Sequence, residues 1–326
     1  MGSSPPLSPE FAAAFRTRAG GSDTLTFAAF MDLALFHPEL GYYRRDHARV
    51  GRSAETDFYT ATSSGALFGE LVVAACVTLL GGTEAARAHT FVEIGAEPDG
   101  GVLTGVSHPF AGARTVRVGE PLELAGHCVV FSNELFDAQP LRRFVRRGAA
   151  WRELGVTLRD GGLAEVELGE VSEPWLPVKA GEGYVFDAPR AAGELAAAIA
   201  AQPWTGLFVA FDYGKSFAEL ATATPIGTAR AYHRHTQSND LLARPGEQDL
   251  TGHVCWDWLA EELTAGGCTG TAVESQEAFF IRHAGEFLAR TMAEEAARTS
   301  QRKRALMQLL HPSNMGQKFQ VLHARR

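Results

Sequence analysis

Thr90-Phe91-Val92-Glu93-Ile94-Gly95 is the stretch that decides the fold. Its aromatic and β-branched residues make a short, nearly continuous apolar run that enters a glycine turn directly, as the first strand of a sheet buried on both faces does. Cys128 to Ser132 and Thr115 to Val118 read as two further short strands. Gly206-Leu207-Phe208-Val209-Ala210-Phe211 reads as a buried central strand ending at Asp212-Tyr213-Gly214. Helical spacing of apolar residues appears at Phe27 to Phe36, closed by His37-Pro38, and at Gly65 to Leu80. It recurs at Arg190 to Ala200, Trp256 to Leu263, Ala284 to Ala297 and Arg302 to Leu310, with a further short strand at Thr228 to Tyr232. Strands alternating with helices imply an α/β fold with a doubly wound, Rossmann-like sheet.

One part departs from that alternation. Trp151 to Leu158 and Leu163 to Leu168 alternate in polarity around Asp160-Gly161-Gly162, which is the pattern of an antiparallel hairpin. The expected organisation is a flexible N-terminus (1–24), a helical extension (25–88) and a Rossmann-like domain (89–326). That domain carries an antiparallel insertion around 144–170 and a helical C-terminal part. Gly41-Tyr42-Tyr43 is expected to be a turn with exposed aromatics.

Composition narrows the function classes. The chain has 326 residues, of which 45% are hydrophobic and 21% charged, enough to bury a sizeable core. No apolar run approaches the ~20 residues of a membrane span, so membrane insertion is not expected. Met1 to Pro9 lacks the basic-then-apolar order of a secretory signal. Cys76, Cys128, Cys255 and Cys268 form no CxxC pair and sit in apolar contexts, which fits reduced thiols and a cytoplasmic setting. His253 beside Cys255 has no matching second pair, so no metal is expected there. A net charge of −8 opposes capture of a nucleic-acid backbone. Two basic clusters stand out, Arg142, Arg143, Arg146 and Arg147, and Arg302, Lys303 and Arg304, and each reads equally well as a solvated face.

Three strand ends carry chemistry, since ligands of open α/β sheets bind beyond the carboxyl ends of the strands. After Glu93 and Ile94 come Gly95 and Ala96, where a nucleoside could approach the backbone, although an ordinary strand-to-loop turn reads the same way. After Ser132 come Asn133, Glu134, Leu135, Phe136 and Asp137, an amide and two carboxylates that could hold a cation or accept a proton. A solvated loop with Asp137 capping a turn is the plain alternative. Asp212-Tyr213-Gly214-Lys215-Ser216 is not a phosphate loop, because Val209 occupies its first glycine position. No Gly-x-Ser-x-Gly elbow is present, which removes a serine hydrolase of that type.

Taken in order, longer blocks become specific. They are Phe30-Met31-Asp32-Leu33-Ala34-Leu35-Phe36-His37-Pro38-Glu39-Leu40-Gly41-Tyr42-Tyr43, Asp57-Phe58-Tyr59-Thr60-Ala61, Val92-Glu93-Ile94-Gly95 and Asn133-Glu134-Leu135-Phe136-Asp137-Ala138. Arg230 to His235, Pro245 to Val254 and Met315 to Leu322 continue the series. The chain thereby resembles the MidA-like family of class I S-adenosylmethionine-dependent methyltransferases, relatives of the mitochondrial complex I assembly factor that methylates an arginine of a partner subunit. The resemblance implies S-adenosylmethionine held by Glu93, Gly95, Ala96, Asn133 and Phe136, with Glu134, Asp137 and His253 as catalytic residues. It also implies a protein substrate or assembly partner, and a homodimer is compatible with it. A structural role for His253 reads equally well from the residues.

The resemblance has one break. Glu97 and Asp99 stand where the family's strand-end loop has glycines, which is expected to weaken cofactor binding through charge and bulk. Only 37 residues lie between Gly95 and Asn133, room for about one βαβ crossover. Gly100, Gly101, Gly105 and Pro109 within that interval disfavour a helix. Two classes therefore follow, an active protein methyltransferase or a catalytically impaired relative that binds a protein partner.

Overall fold

The computed structural model describes residues 6–45, 65–98, 100–297 and 300–326. Asp57 to Ala61 and Asp99, singled out above, lie outside them. The chain divides into two compact units. One comprises Met1–His47, Phe136–Glu194 and Gly214–Trp258, and the other Ala48–Leu135, Leu195–Tyr213 and Leu259–Arg326.

The second unit is built on a six-stranded sheet in the order Gly112–Val116, Thr90–Ile94, Gly126–Asn133, Trp204–Asp212, Gln320–Arg325 and Thr269–Ser275. The first four strands are mutually parallel, and the last two continue the sheet antiparallel. Ile94 lies opposite Ser132, and Asn133 opposite Phe211, so the three expected strand ends stand side by side on neighbouring strands. The α/β reading of the sequence holds.

Phe91, Val129, Phe131, Leu207, Val209, Phe211 and Val321 point to one face of this sheet, as period-two alternation requires. There they join Leu67, Phe68, Leu71 and Val72 of the Ala66–Leu80 helix and Phe279 and Phe280 of the Gln276–His283 helix. Phe211 is the hub: its ring lies 5.3 Å from Phe68, 5.8 Å from Phe131, and 5.4 Å from both Phe279 and Phe280. Val92, Val130, Phe208, Ala210 and Leu322, on the other face, are also buried. That explains why these strands read as apolar runs rather than as alternation.

No helix lies between Ile94 and Gly112, or between Val116 and Gly126, among the described residues. Turns replace the crossover helices, as the glycine-rich composition of the interval foreshadowed. The strand expected from Thr115 starts earlier and spans Gly112–Val116.

The first unit carries a five-stranded antiparallel sheet containing Thr24–Thr26, Arg142–Arg147, Ala150–Arg159, Gly162–Val171 and Val185–Ala188. The expected hairpin is its longest pair, Ala150–Arg159 with Gly162–Val171. Phe144, Trp151, Phe186, Trp258 and Leu220 form its core. The Arg142–Arg147 strand was hidden by its charges, which the fold neutralises one by one. Arg142 meets Glu153 and Glu173 at 2.9 and 2.8 Å, Arg143 meets Asp187 at 2.9 Å, and Arg147 meets Glu167 at 2.7 Å. Three of the four arginines of the first basic cluster are thus paired with carboxylates, and Arg146 lies over the Trp151 ring at 5.6 Å. The aromatics after Gly41 are a correction: Tyr42 is fully buried, edge-on to Tyr43, which stacks on Phe36. Their apolar area outweighs the turn in which they sit.

Replacing Phe211 by alanine should remove the hub of the second unit and cost about 3–5 kcal/mol in urea unfolding. Val178→Ala, at a largely exposed position, should stay within about 0.5 kcal/mol of the parent.

Candidate functional site

The carboxyl ends of the central parallel strands bear polar groups, several of them buried. The Glu93 side chain is buried, and its Oε2 accepts the Val102 amide at 2.7 Å. Burial pushes this carboxyl up to about 7, with the Val102 bond opposing the rise. A Cβ on Gly101 would come within 2.2 Å of the same oxygen, so only glycine lets the returning chain pass over Glu93. Glu93 therefore anchors the loop that follows its own strand.

Gly95 has φ +82°, its amide donates to Val116 O at 2.8 Å, and a Cβ there would meet Leu135 Cδ1 at 2.9 Å. Ala96 is buried. Beyond it the chain makes a tight turn in which the Gly100 amide donates to Glu97 O at 3.2 Å. Arg117 secures this turn by donating to Pro98 O at 2.9 Å. Glu97 is half-buried in the turn.

On the next strand, Ser132 Oγ and Asn133 Oδ1 are buried and have no hydrogen-bond partner among the described residues. Asn133 Nδ2 donates to Glu134 Oε1 at 3.1 Å. Glu134 adopts φ +52°, uncommon for a residue with a side chain. Its amide donates to Phe211 O at 2.9 Å, extending the ladder one residue past the strand before the chain turns away. Glu93, Gly95, Ala96, Asn133 and Glu134 thus gather on adjoining strand ends of one unit.

Phe136, Asp137 and His253 belong to the other unit. Phe136 is fully buried and Asp137 nearly so. Asp137 O accepts the Gly252 amide at 2.9 Å, which brings Asp137 and His253 onto adjoining backbone. The His253 amide donates to Thr228 Oγ1 at 3.2 Å. Burial lowers its imidazole to about 4, helped by Lys215 and Arg230 and opposed by Asp187 and Glu219, so it is neutral at pH 7.

Asp187 is a buried residue that the sequence reading missed. It accepts from the Thr228 and Ala229 amides at 2.5 and 2.8 Å and from Arg143 at 2.9 Å. It fixes the segment leading to His253 only once the fold joins residues far apart in sequence, and no local motif marks it.

Residues 115–272 match the model of a family described as "Putative S-adenosyl-L-methionine-dependent methyltransferase". The chain shares its fold with a methyl transferase candidate from Burkholderia thailandensis solved with S-adenosyl-homocysteine bound. The TM-score is 0.85 at 24% identity, over 99% of this chain and 95% of the other. An uncharacterized protein from the same organism superposes with a TM-score of 0.80 at 23% identity, over 99% and 95% of the two chains. No curated protein matches the sequence.

Because its folded value lies above the ordinary carboxylate value, Glu93 contributes stability below about pH 4.5 that is lost as pH rises through about 7. Glu93→Gln keeps an acceptor for Val102 and removes the charge. Between pH 5 and 8 the parent should therefore lose up to about 3 kcal/mol relative to this variant in urea unfolding.

Proposed function

We propose that this chain is an S-adenosylmethionine-dependent methyltransferase of the MidA-like type, acting on an arginine side chain of a partner protein. The observation that carries the reading is the row of parallel strand ends, where Gly95 brings backbone close to the next loop and Ser132 Oγ and Asn133 Oδ1 offer buried acceptors. The family match and the cofactor product held by the Burkholderia structure support it.

The donor set suits the cofactor. Buried acceptor oxygens suit its ammonium and amino groups, and the positive-φ glycine suits close approach of a nucleoside. When bound, S-adenosylmethionine supplies an electrophilic sulfonium methyl group. Glu93 holds the loop behind the cofactor by its bond to Val102, while Gly95, Ala96 and Asn133 bind. Glu134 orients the acceptor guanidinium, as a carboxylate can do through two parallel bonds while directing one nitrogen toward the methyl group. His253, neutral at pH 7, can accept a proton but is a weak base, which favours a positioning role over general-base catalysis.

A second reading rests on the lack of crossover helices between Ile94 and Gly126 among the described residues. A chain so reduced on its cofactor side could serve a protein partner without transferring a methyl group.

Calorimetric titration of the purified protein separates the two. The methyltransferase reading expects S-adenosylmethionine to bind with a Kd of about micromolar order. Gly95→Val should weaken binding at least about tenfold, since its side chain would need the space of Leu135. Glu97→Gly should tighten it by removing negative charge from the loop. Transfer of labelled methyl groups into protein, recovered as methylarginine, tests the acceptor. Binding without transfer to any protein would favour the second reading, and absence of binding would remove the first.

A further inference from the structure

Away from the strand ends, three side chains from three elements of the six-stranded unit converge. Glu274 lies on the edge strand Thr269–Ser275, His323 on its antiparallel neighbour Gln320–Arg325, and His283 at the last position of the Gln276–His283 helix. Glu274 pairs with Val321 and Ala272 with His323, so Glu274 and His323 are diagonal neighbours on one face of the hairpin. The helix that starts immediately after the edge strand brings His283 back over that face.

His283 Nε2 and His323 Nε2 each lie 3.0 Å from the same oxygen, Glu274 Oε1. One ligand atom from each residue falls within 4.8 Å of the others. Donors around a tetrahedral zinc ion, with bonds near 2.0–2.2 Å, lie about 3.3 Å apart. Two of the three donor pairs, Glu274 with His283 and Glu274 with His323, already stand within a few tenths of an ångström of that spacing. The three side chains are 7%, 13% and 11% exposed, and Phe279 packs 5.0 Å from the His283 ring and 5.6 Å from His323.

We propose that Glu274, His283 and His323 form a binding site for a divalent transition-metal ion of the zinc type, which clamps the Gln276–His283 helix to the edge hairpin. Two imidazoles and a carboxylate select zinc and its neighbours over magnesium or calcium, which take oxygen donors. Three protein ligands leave a fourth position for water. Arg282 Nη1, 2.6 Å from Glu274 Oε2, occupies the other carboxylate oxygen and holds the group to one-oxygen ligation, as outer-shell partners of metal ligands do.

The test uses full-length, tag-free protein stripped with a chelator and titrated with zinc(II), with magnesium(II) as the second arm. Zinc should bind stoichiometrically and raise the melting temperature, and magnesium should do neither. Cobalt(II) should give the intense visible bands of a low-coordinate site. His283→Gln and Glu274→Gln should each weaken zinc binding at least about tenfold, with unchanged circular dichroism of the metal-free proteins. His127→Ala, at an exposed histidine of the same unit, should leave it unchanged. Zinc binding equal in the parent and both ligand variants, or a cobalt spectrum that stays that of the hydrated ion, would overturn the proposal.

Discussion

The bond from the Glu134 amide to the Phe211 carbonyl, 2.9 Å long, is the constraint around which the candidate cofactor face is organised. It closes the ladder between the two central parallel strands and fixes Glu134 at φ +52°, where the chain must leave the sheet. Directly upstream, Ser132 and Asn133 are locked in register against Ala210 and Phe211. Their polar groups are therefore buried by sheet geometry rather than by any attraction of their own. Burial of polar atoms without partners costs free energy. The apolar hub around Phe211, with Phe68, Phe131, Phe279 and Phe280, supplies the packing that offsets it.

Charge inside this framework is handled in two ways. In the unit containing the antiparallel sheet, carboxylates and arginines meet in pairs, and Asp187 adds two backbone amides to its arginine. In the six-stranded unit, Glu93 accepts a single amide among the described residues, and burial raises it toward neutrality. A carboxyl of that kind is a pH-sensitive support for the backbone at Val102, because the bond between them changes character as it ionises. The Glu274 cluster is an intermediate case, with one carboxylate shared by two imidazoles and a guanidinium.

Local signals in the sequence were reliable where burial dictated residue choice. The runs at Phe91 to Ile94, Cys128 to Ser132 and Leu207 to Phe211 name the central strands, since a strand covered on both faces admits little else. The hairpin around Asp160-Gly161-Gly162 was equally legible, because its turn chemistry and alternation agree. The Arg142–Arg147 strand was not, because its stability depends on carboxylates far away in sequence. Tyr42 was misread for a related reason: a glycine turn signals exposure locally, whereas packing against Tyr43 and the rest of its unit decides otherwise. Of the candidate site, the strand-end residues Glu93, Gly95, Ala96, Asn133 and Glu134 could be found from strand position alone. Asp187 and the Glu274, His283 and His323 cluster could not, since only strand register and a helix return assemble them.

The central claim is that the carboxyl ends of the Thr90–Ile94 and Gly126–Asn133 strands receive S-adenosylmethionine or its demethylated product. Hydrogen–deuterium exchange of the full chain with and without S-adenosyl-homocysteine tests it most directly. The account predicts slowed exchange confined to peptides covering 93–102 and 132–135, with the distant Thr269–Ser275 strand unchanged. Unaltered exchange at both strand ends under saturating ligand, or protection elsewhere in the chain alone, would contradict it.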